Sequence, residues 1–152
     1  MAMTAQQETL SLTWSSGIDD IDWHELEALY RAAPLGVKNA ADLQTAFINS
    51  RFSCFVRDNG KLVAAGRALA DGVDCAYICD VAVLPSHQGG GLGKAVIHAL
   101  VERAQGHKKI ILYAVPGKEA SYKKLGFLRM RTAMAIFRDQ AAAVASGHLS
   151  SD

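Results

Sequence analysis

The stretch VAVLPSHQGGGLGKAV, from Val81 to Val96, holds the residues best suited to chemistry. It begins as a buried strand would and ends as a helix would, with Gly89, Gly90, Gly91 and Gly93 crowded at the corner between. Glycine weakens both strands and helices through its backbone freedom, so such a cluster implies that something must approach the backbone closely. A helix start offers N–H groups with no intrahelical partner, and its aligned peptide dipoles place a partial positive charge there. The two together suit an anion, phosphate above all. Without Cβ atoms in the way, phosphate oxygens can reach the amides. Lys94 can add a charge and Gln88 a donor. The corner is therefore read as a phosphate cradle, fitted to a diphosphate.

Spacing narrows the ligand. A dinucleotide fingerprint, G-x-G-x-x-G, fails, because its third glycine falls on Lys94 or on Val96. A Walker loop fails too, with Gln88 in place of its first glycine and Ala95 in place of its hydroxyl residue. Gln88, Gly91 and Gly93 do form Q-x-x-G-x-G after a strand ending in VAVLP. This resembles the acetyl-CoA loop of the GNAT superfamily of N-acetyltransferases. Farther on, SYKKLGF is similar to that family's Tyr-x-x-x-Gly-Phe element, met by Tyr122, Gly126 and Phe127. The resemblance runs from about Phe52 to Arg138. Where many members carry an Asn before the tyrosine, this chain has Val115 followed by Pro116 and Gly117.

The resemblance implies acetyl-CoA as co-substrate, no metal, and direct transfer of the acetyl group to a primary amine on a small molecule, protein or peptide. It implies a strand that splays from its parallel neighbour, so that Val81, Ala82 and Val83 offer free backbone groups to the pantetheine arm. An amide at Val81 or Ala82 would then stabilise the oxyanion. The cofactor-binding set is completed by Gln88, Gly89, Gly90, Gly91, Leu92, Gly93, Lys94, Tyr122 and Lys124. Tyr122 is the implied acid for the departing thiolate. Lys118, Lys123 and Lys124 either meet the adenosine phosphates or form a solvated face. No cysteine sits in the motif to carry an acyl-enzyme.

An attacking amine must be neutral, so its proton needs an acceptor, either a side chain or a water chain. Asp80 interrupts an apolar strand and is the first candidate base; strand alternation would put it opposite Cys79 and Val81. Tyr113 is the second. Acceptor contacts are expected from Trp23, Tyr30, Arg31 and Arg67, with Tyr113 beside them. Two rival readings remain: a non-catalytic acyl-CoA-binding regulatory module, and a nucleotide-binding domain.

These residues need a scaffold. The chain has 152 residues, half of them hydrophobic, a fifth charged, with a net charge of +1. It is expected to be one domain over 1–152, with residues 1–8 and 140–152 loose. No basic stripe suggests nucleic acid, and no apolar run is long enough to cross a bilayer. The polar start MAMTAQQETL lacks a secretory core, so a cytoplasmic protein is expected, with dimerisation in view from the family. Cys54, Cys75 and Cys79 read as small core residues; a metal site of Cys75, Cys79 and His87 would lack a fourth ligand.

LSLTW reads as a first strand. Two helices follow, the first capped by Asp19 or Asp20 and the second by Asn39. Three strands then form a meander, turned at DNG and DG. The helix from Gly91 should cross over to a parallel strand, KKIILYAV. A short helix ends at Gly126, RMRTAMAIFR reads as a final strand, and the last dozen residues read as a weak helix or a frayed tail. The fold class is a single mixed, mainly antiparallel twisted α/β sheet of six to seven strands, with about four helices on both faces, as in GNAT acyltransferases.

Overall fold

The computed structural model describes residues 11–152, and the expected loose segment 1–8 lies outside the described residues. The chain divides into two compact units, one up to Leu112 and one over Tyr113–Asp152. The first contains β1 (Leu12–Ser15), α1 (Trp23–Ala32), α2 (Ala40–Ile48), β2 (Phe52–Asp58), β3 (Lys61–Ala70), β4 (Cys75–Val83), α3 (Leu92–Arg103) and β5 (Lys109–Ile111). The second contains α4 (Glu119–Lys123) and α5 (Gln140–Ala145).

Five strands form one sheet in the order β1-β2-β3-β4-β5. All neighbours are antiparallel except β4 and β5, which run parallel on either side of the α3 crossover. The DNG turn closes β2 onto β3 with Asn59 at φ +50° and Gly60 at φ +84°, the paired positive angles of a tight hairpin turn. Asn39 caps α2 through its side-chain oxygen, 2.8 Å from the Asp42 amide. The cap of α1 is Asp22, not Asp19 or Asp20: its carboxylate accepts from the amides of His24 and Glu25 at 3.0 and 3.3 Å.

Both faces of the sheet are covered, which is why β2 and β3 are buried almost without interruption. On one face Leu26, Leu29 and Tyr30 of α1 and Leu43 and Phe47 of α2 pack with Phe55, Ala65 and Ala82. On the other lies α3, held close by Gly66. A Cβ at Gly66 would lie 2.9 Å from Val96 and 3.1 Å from both Leu100 and Val81, so only glycine lets the helix sit this near.

Several expectations are corrected. Among the described residues the strands number five, not six to seven, and the α-helices five, not about four. RMRTAMAIFR is not a strand; its alternation supplies an apolar side but no ladder partner, and Met134 and Ile136 are exposed. KKIILYAV contributes only Lys109–Ile111 to the ladder. At the start of 140–152 the structure takes the helical one of the two expected alternatives, α5, capped by Asp139 on the Ala142 amide at 2.9 Å.

Candidate functional site

The β4–α3 corner is built from a short 3₁₀ turn, Pro85–His87, and the glycine run. Gly89 and Gly91 have φ of +87° and +84°, which is why these positions take glycine. Gly91 is the N-cap of α3 and brings no side-chain cap. Among the described residues, none of the amides from Gly89 to Lys94 meets an acceptor. A Cβ at Gly89, Gly90 or Gly91 would meet nothing within 4 Å, and one at Gly93 only Val83 at 3.5 Å. An open cradle of unpaired amides at the mouth of a 12-residue helix fits the diphosphate of coenzyme A. Lys94 is exposed beside it.

Gln88 behaves differently from the expectation of a donor facing the cradle. Its Nε2 donates to the Val83 carbonyl at 3.0 Å, tying the corner back to the end of β4. The turn before it is anchored by His87, whose Nε2 lies 2.8 Å from Asp58 Oδ2 at the far end of β2. Ser11 donates to the other Asp58 oxygen at 2.7 Å. These bonds hold the Asp58 carboxyl below its ordinary value, the His87 bond first.

The parallel ladder of β4 and β5 stops at Tyr77 and Ile111, while β4 runs on to Val83. Among the described residues no strand pairs with that edge beyond Tyr77. On the other edge the Leu84 amide donates to the Val63 carbonyl at 2.8 Å. Strand alternation then points the backbone of Ala82 toward β3 and that of Val81 and Val83 to the unpaired edge. Of the two amides considered for oxyanion stabilisation, Val81 is thus the one that faces outward. Gln88 occupies the Val83 carbonyl.

Asp80 sits one residue before Val81 with φ +55°, and the β3–β4 register shifts between Ala65 and Arg67. This bulge breaks the alternation read from the sequence. Asp80 is opposite Val81, whose side chain points toward α3, but it shares a face with Cys79, the cross-strand partner of Arg67. Its carboxylate is held by Arg67 Nε at 2.7 Å and Lys38 Nζ at 3.2 Å, and Arg67 also donates to Ser50 Oγ at 3.2 Å. Each of its oxygens thus faces one cation. Burial pushes the Cys79 thiol up to about 11, so it stays protonated at neutral pH.

Two acceptor-contact expectations change. Tyr30 is fully buried, and its hydroxyl donates to the Asp80 carbonyl at 2.5 Å; it cannot touch an acceptor. Burial, reinforced by the Asp80 charge, raises its phenol well above the usual tyrosine value. Arg31 is solvent-exposed and pairs with Glu27 at 2.9 Å. Trp23 packs against Phe47, with ring centroids 6.1 Å apart. Lys38, Ser50 and Asp58 were not singled out from the sequence, since none belongs to a motif and each acts through a partner far along the chain.

Tyr113, Tyr122 and Lys124 belong to the second unit. Tyr122 is half-buried, and burial raises its phenol above the ordinary value. Its ring meets Phe127 edge-on at 6.4 Å. Lys118, Lys123 and Lys124 are exposed. Tyr113 packs against Phe137 and His148, with centroids 6.0 and 6.1 Å away. Among the described residues no group of three or more His, Cys, Asp or Glu could hold a metal ion.

Comparison with known proteins agrees with this geometry. Residues 17–127 match the model of the acetyltransferase (GNAT) family. The chain is 33% identical over 114 residues to GCN5-related N-acetyltransferase 1, chloroplastic, of Arabidopsis thaliana, covering 72% of this chain and 58% of that one. It is 49% identical over 70 residues to Serotonin N-acetyltransferase 2, chloroplastic, of Oryza sativa subsp. japonica, covering 45% of this chain and 35% of that one. It spans less than two thirds of the length of these curated relatives. Among solved structures, Arabidopsis thaliana Naa50 in complex with the bisubstrate analogue CoA-Ac-MVNAL shares the fold, with TM-score 0.64 and 21% identity over 79% of this chain and 85% of that one. With the family match covering most of the chain and the cradle and unpaired strand edge in place, this protein belongs to the GNAT family of acetyltransferases.

Proposed function

We propose that this chain transfers the acetyl group of acetyl-CoA directly to a primary amine. The observation that carries the reading is the row of unpaired amides from Gly89 to Lys94, continuous with the unpaired edge of β4. Bound acetyl-CoA supplies an activated acetyl group on a thiol whose pKa near 8.5 makes it a fair leaving group. The cradle amides and Lys94 hold the diphosphate. The outer edge of β4 accepts an extended arm as an added strand would. Val81 N–H donates where negative charge grows on the carbonyl oxygen, an effect worth roughly 3 kcal/mol. Tyr122, its phenol raised by burial, is the acid that the Tyr-x-x-x-Gly-Phe resemblance implies for the departing thiolate.

The amine passes its proton to Asp80, whose carboxylate is held in place by Arg67 and Lys38, or to a water chain. The acceptor is a small amine or a peptide amine; a rice relative is named for serotonin and a structural neighbour is complexed with a CoA–peptide analogue. The test is thiol release from acetyl-CoA across a panel of arylalkylamines, polyamines, amino sugars and peptides, with mass spectrometry of the product. Amine-dependent thiol release with an acetylated product is expected. Tight CoA binding with no transfer to any amine would overturn the enzymatic reading in favour of a binding module.

A further inference from the structure

Two groups in this fold satisfy each other's needs. A bulge removes a residue from its ladder and leaves its backbone without the regular partner; here that residue is Asp80, in a left-handed conformation that a side chain seldom adopts. A buried hydroxyl must find an acceptor; here it is Tyr30, fully enclosed beneath the sheet. The phenol donates to the Asp80 carbonyl at 2.5 Å. Tyr30 shares its helix face with Leu26 and Leu29 of the core, so the hydroxyl is delivered from a rigid element.

We propose that Tyr30 is a positioning residue: its hydroxyl clamps the Asp80 bulge from beneath, and the bulge fixes the Val81 amide on the open edge of β4. Arg67 and Lys38 hold the side chain of the same residue, so Asp80 is gripped at both its carbonyl and its carboxylate. Val81 follows directly in the chain. A change of Asp80 to ordinary strand angles would flip the edge that Val81 faces, since consecutive amides alternate. The clamp thus controls whether the proposed oxyanion donor is presented, without touching substrate. The catalytic part rests on the acetyl-transfer reading above; the conformational part does not.

The experiment combines Tyr30→Phe, Asp80→Gly and the double variant. Steady-state kinetics with acetyl-CoA and an accepted amine are read alongside the Val81 amide resonance in 15N-labelled protein. Tyr30→Phe keeps the ring in the core. It should lower kcat about fivefold, the weight of one ordinary hydrogen bond, with KM for acetyl-CoA nearly unchanged and the Val81 resonance shifted. In the Asp80→Gly background the carbonyl of residue 80 remains while the grip on the carboxylate is gone, so the same substitution should cost at least as much in both readouts.

A folded Tyr30→Phe protein with unaltered kcat and Val81 resonance overturns the clamp. The absence of any loss in the glycine background overturns it as well, since the carbonyl of residue 80 is still there to be held. If the wild type acetylates no amine, the transfer reading fails and the Val81 resonance alone decides the clamp. Should Tyr30→Phe not fold, the wild-type spectrum decides: a Tyr30 hydroxyl proton protected from exchange supports the clamp, and one exchanging freely overturns it.

Discussion

Gly91 and Gly93 lie two residues apart, yet the structure gives alanine opposite effects at the two positions. Gly91 has φ +84° with nothing within 4 Å of a Cβ, so alanine there meets no clash and suffers only the left-handed penalty, roughly 1–2 kcal/mol. For a chain of this size each kcal/mol moves Tm by about 2–4 °C, so Gly91→Ala should melt roughly 2–8 °C lower. If the corner escapes the strain by rotating its peptide, one cradle amide turns away, and a charge-assisted bond of about 1.5–3 kcal/mol is lost. That corresponds to CoA binding weaker by roughly 10–100-fold. Gly93 is already helical, and its Cβ would make ordinary contact with Val83 at 3.5 Å. Gly93→Ala should therefore gain about 0.5–1 kcal/mol from helix propensity and melt higher than wild type. Thermal melting and isothermal titration with CoA measure both quantities on the same preparations. A Gly91→Ala protein as stable as wild type that still binds CoA normally would refute the reasoning, because neither the conformation of the cap nor its amides would then matter.

Asp58→Asn should raise KM for acetyl-CoA several-fold while kcat holds, since it frees His87 and with it the turn leading into the cradle; initial-rate kinetics decide, and an unchanged KM removes the anchor role. Tyr122→Phe should lower kcat by about tenfold or more in a protein that melts normally. Burial raises the Tyr122 phenol, so the wild-type acid stays protonated to higher pH than a free tyrosine, and any alkaline fall in rate caused by it should vanish in the Phe variant. Asp71 accepts from the amides of Val73, Asp74 and Cys75 and is held down to about 2 from the ordinary 3.8. Its contribution to stability is present above about pH 4 and is lost as pH falls through about 2. Asp71→Asn should flatten that part of an acid-unfolding profile, and an unaltered profile would show that the turn does not depend on the charge.

The local signals were legible because they are written within a few residues. Asn59 and Gly60 announce the hairpin, Asn39 the start of α2, and the run from Gly89 to Gly93 the corner before α3, each through angles or amides that neighbouring residues alone impose. Alternation failed in two places for different reasons. In RMRTAMAIFR it showed an apolar side but could not supply a partner strand. In β4 it misplaced Asp80 relative to Cys79, because a bulge inserts one residue without any composition mark.

The open corner of unpaired amides was thus determined by sequence alone, since a strand, a glycine run and an amphipathic helix in that order leave the first amides of the helix without partners. What surrounds it was decided by tertiary structure. Tyr30 reads along the chain as a candidate acceptor contact but lies fully buried, fifty residues from the carbonyl it donates to. Asp80 reads as a lone carboxylate but is paired with Arg67 and Lys38 from two other segments. Such partners are chosen by the packing of α1 and the loop after it against the sheet, and burial forces each polar group to the nearest available mate. No local pattern carries that information, because it exists only once distant segments share one interior.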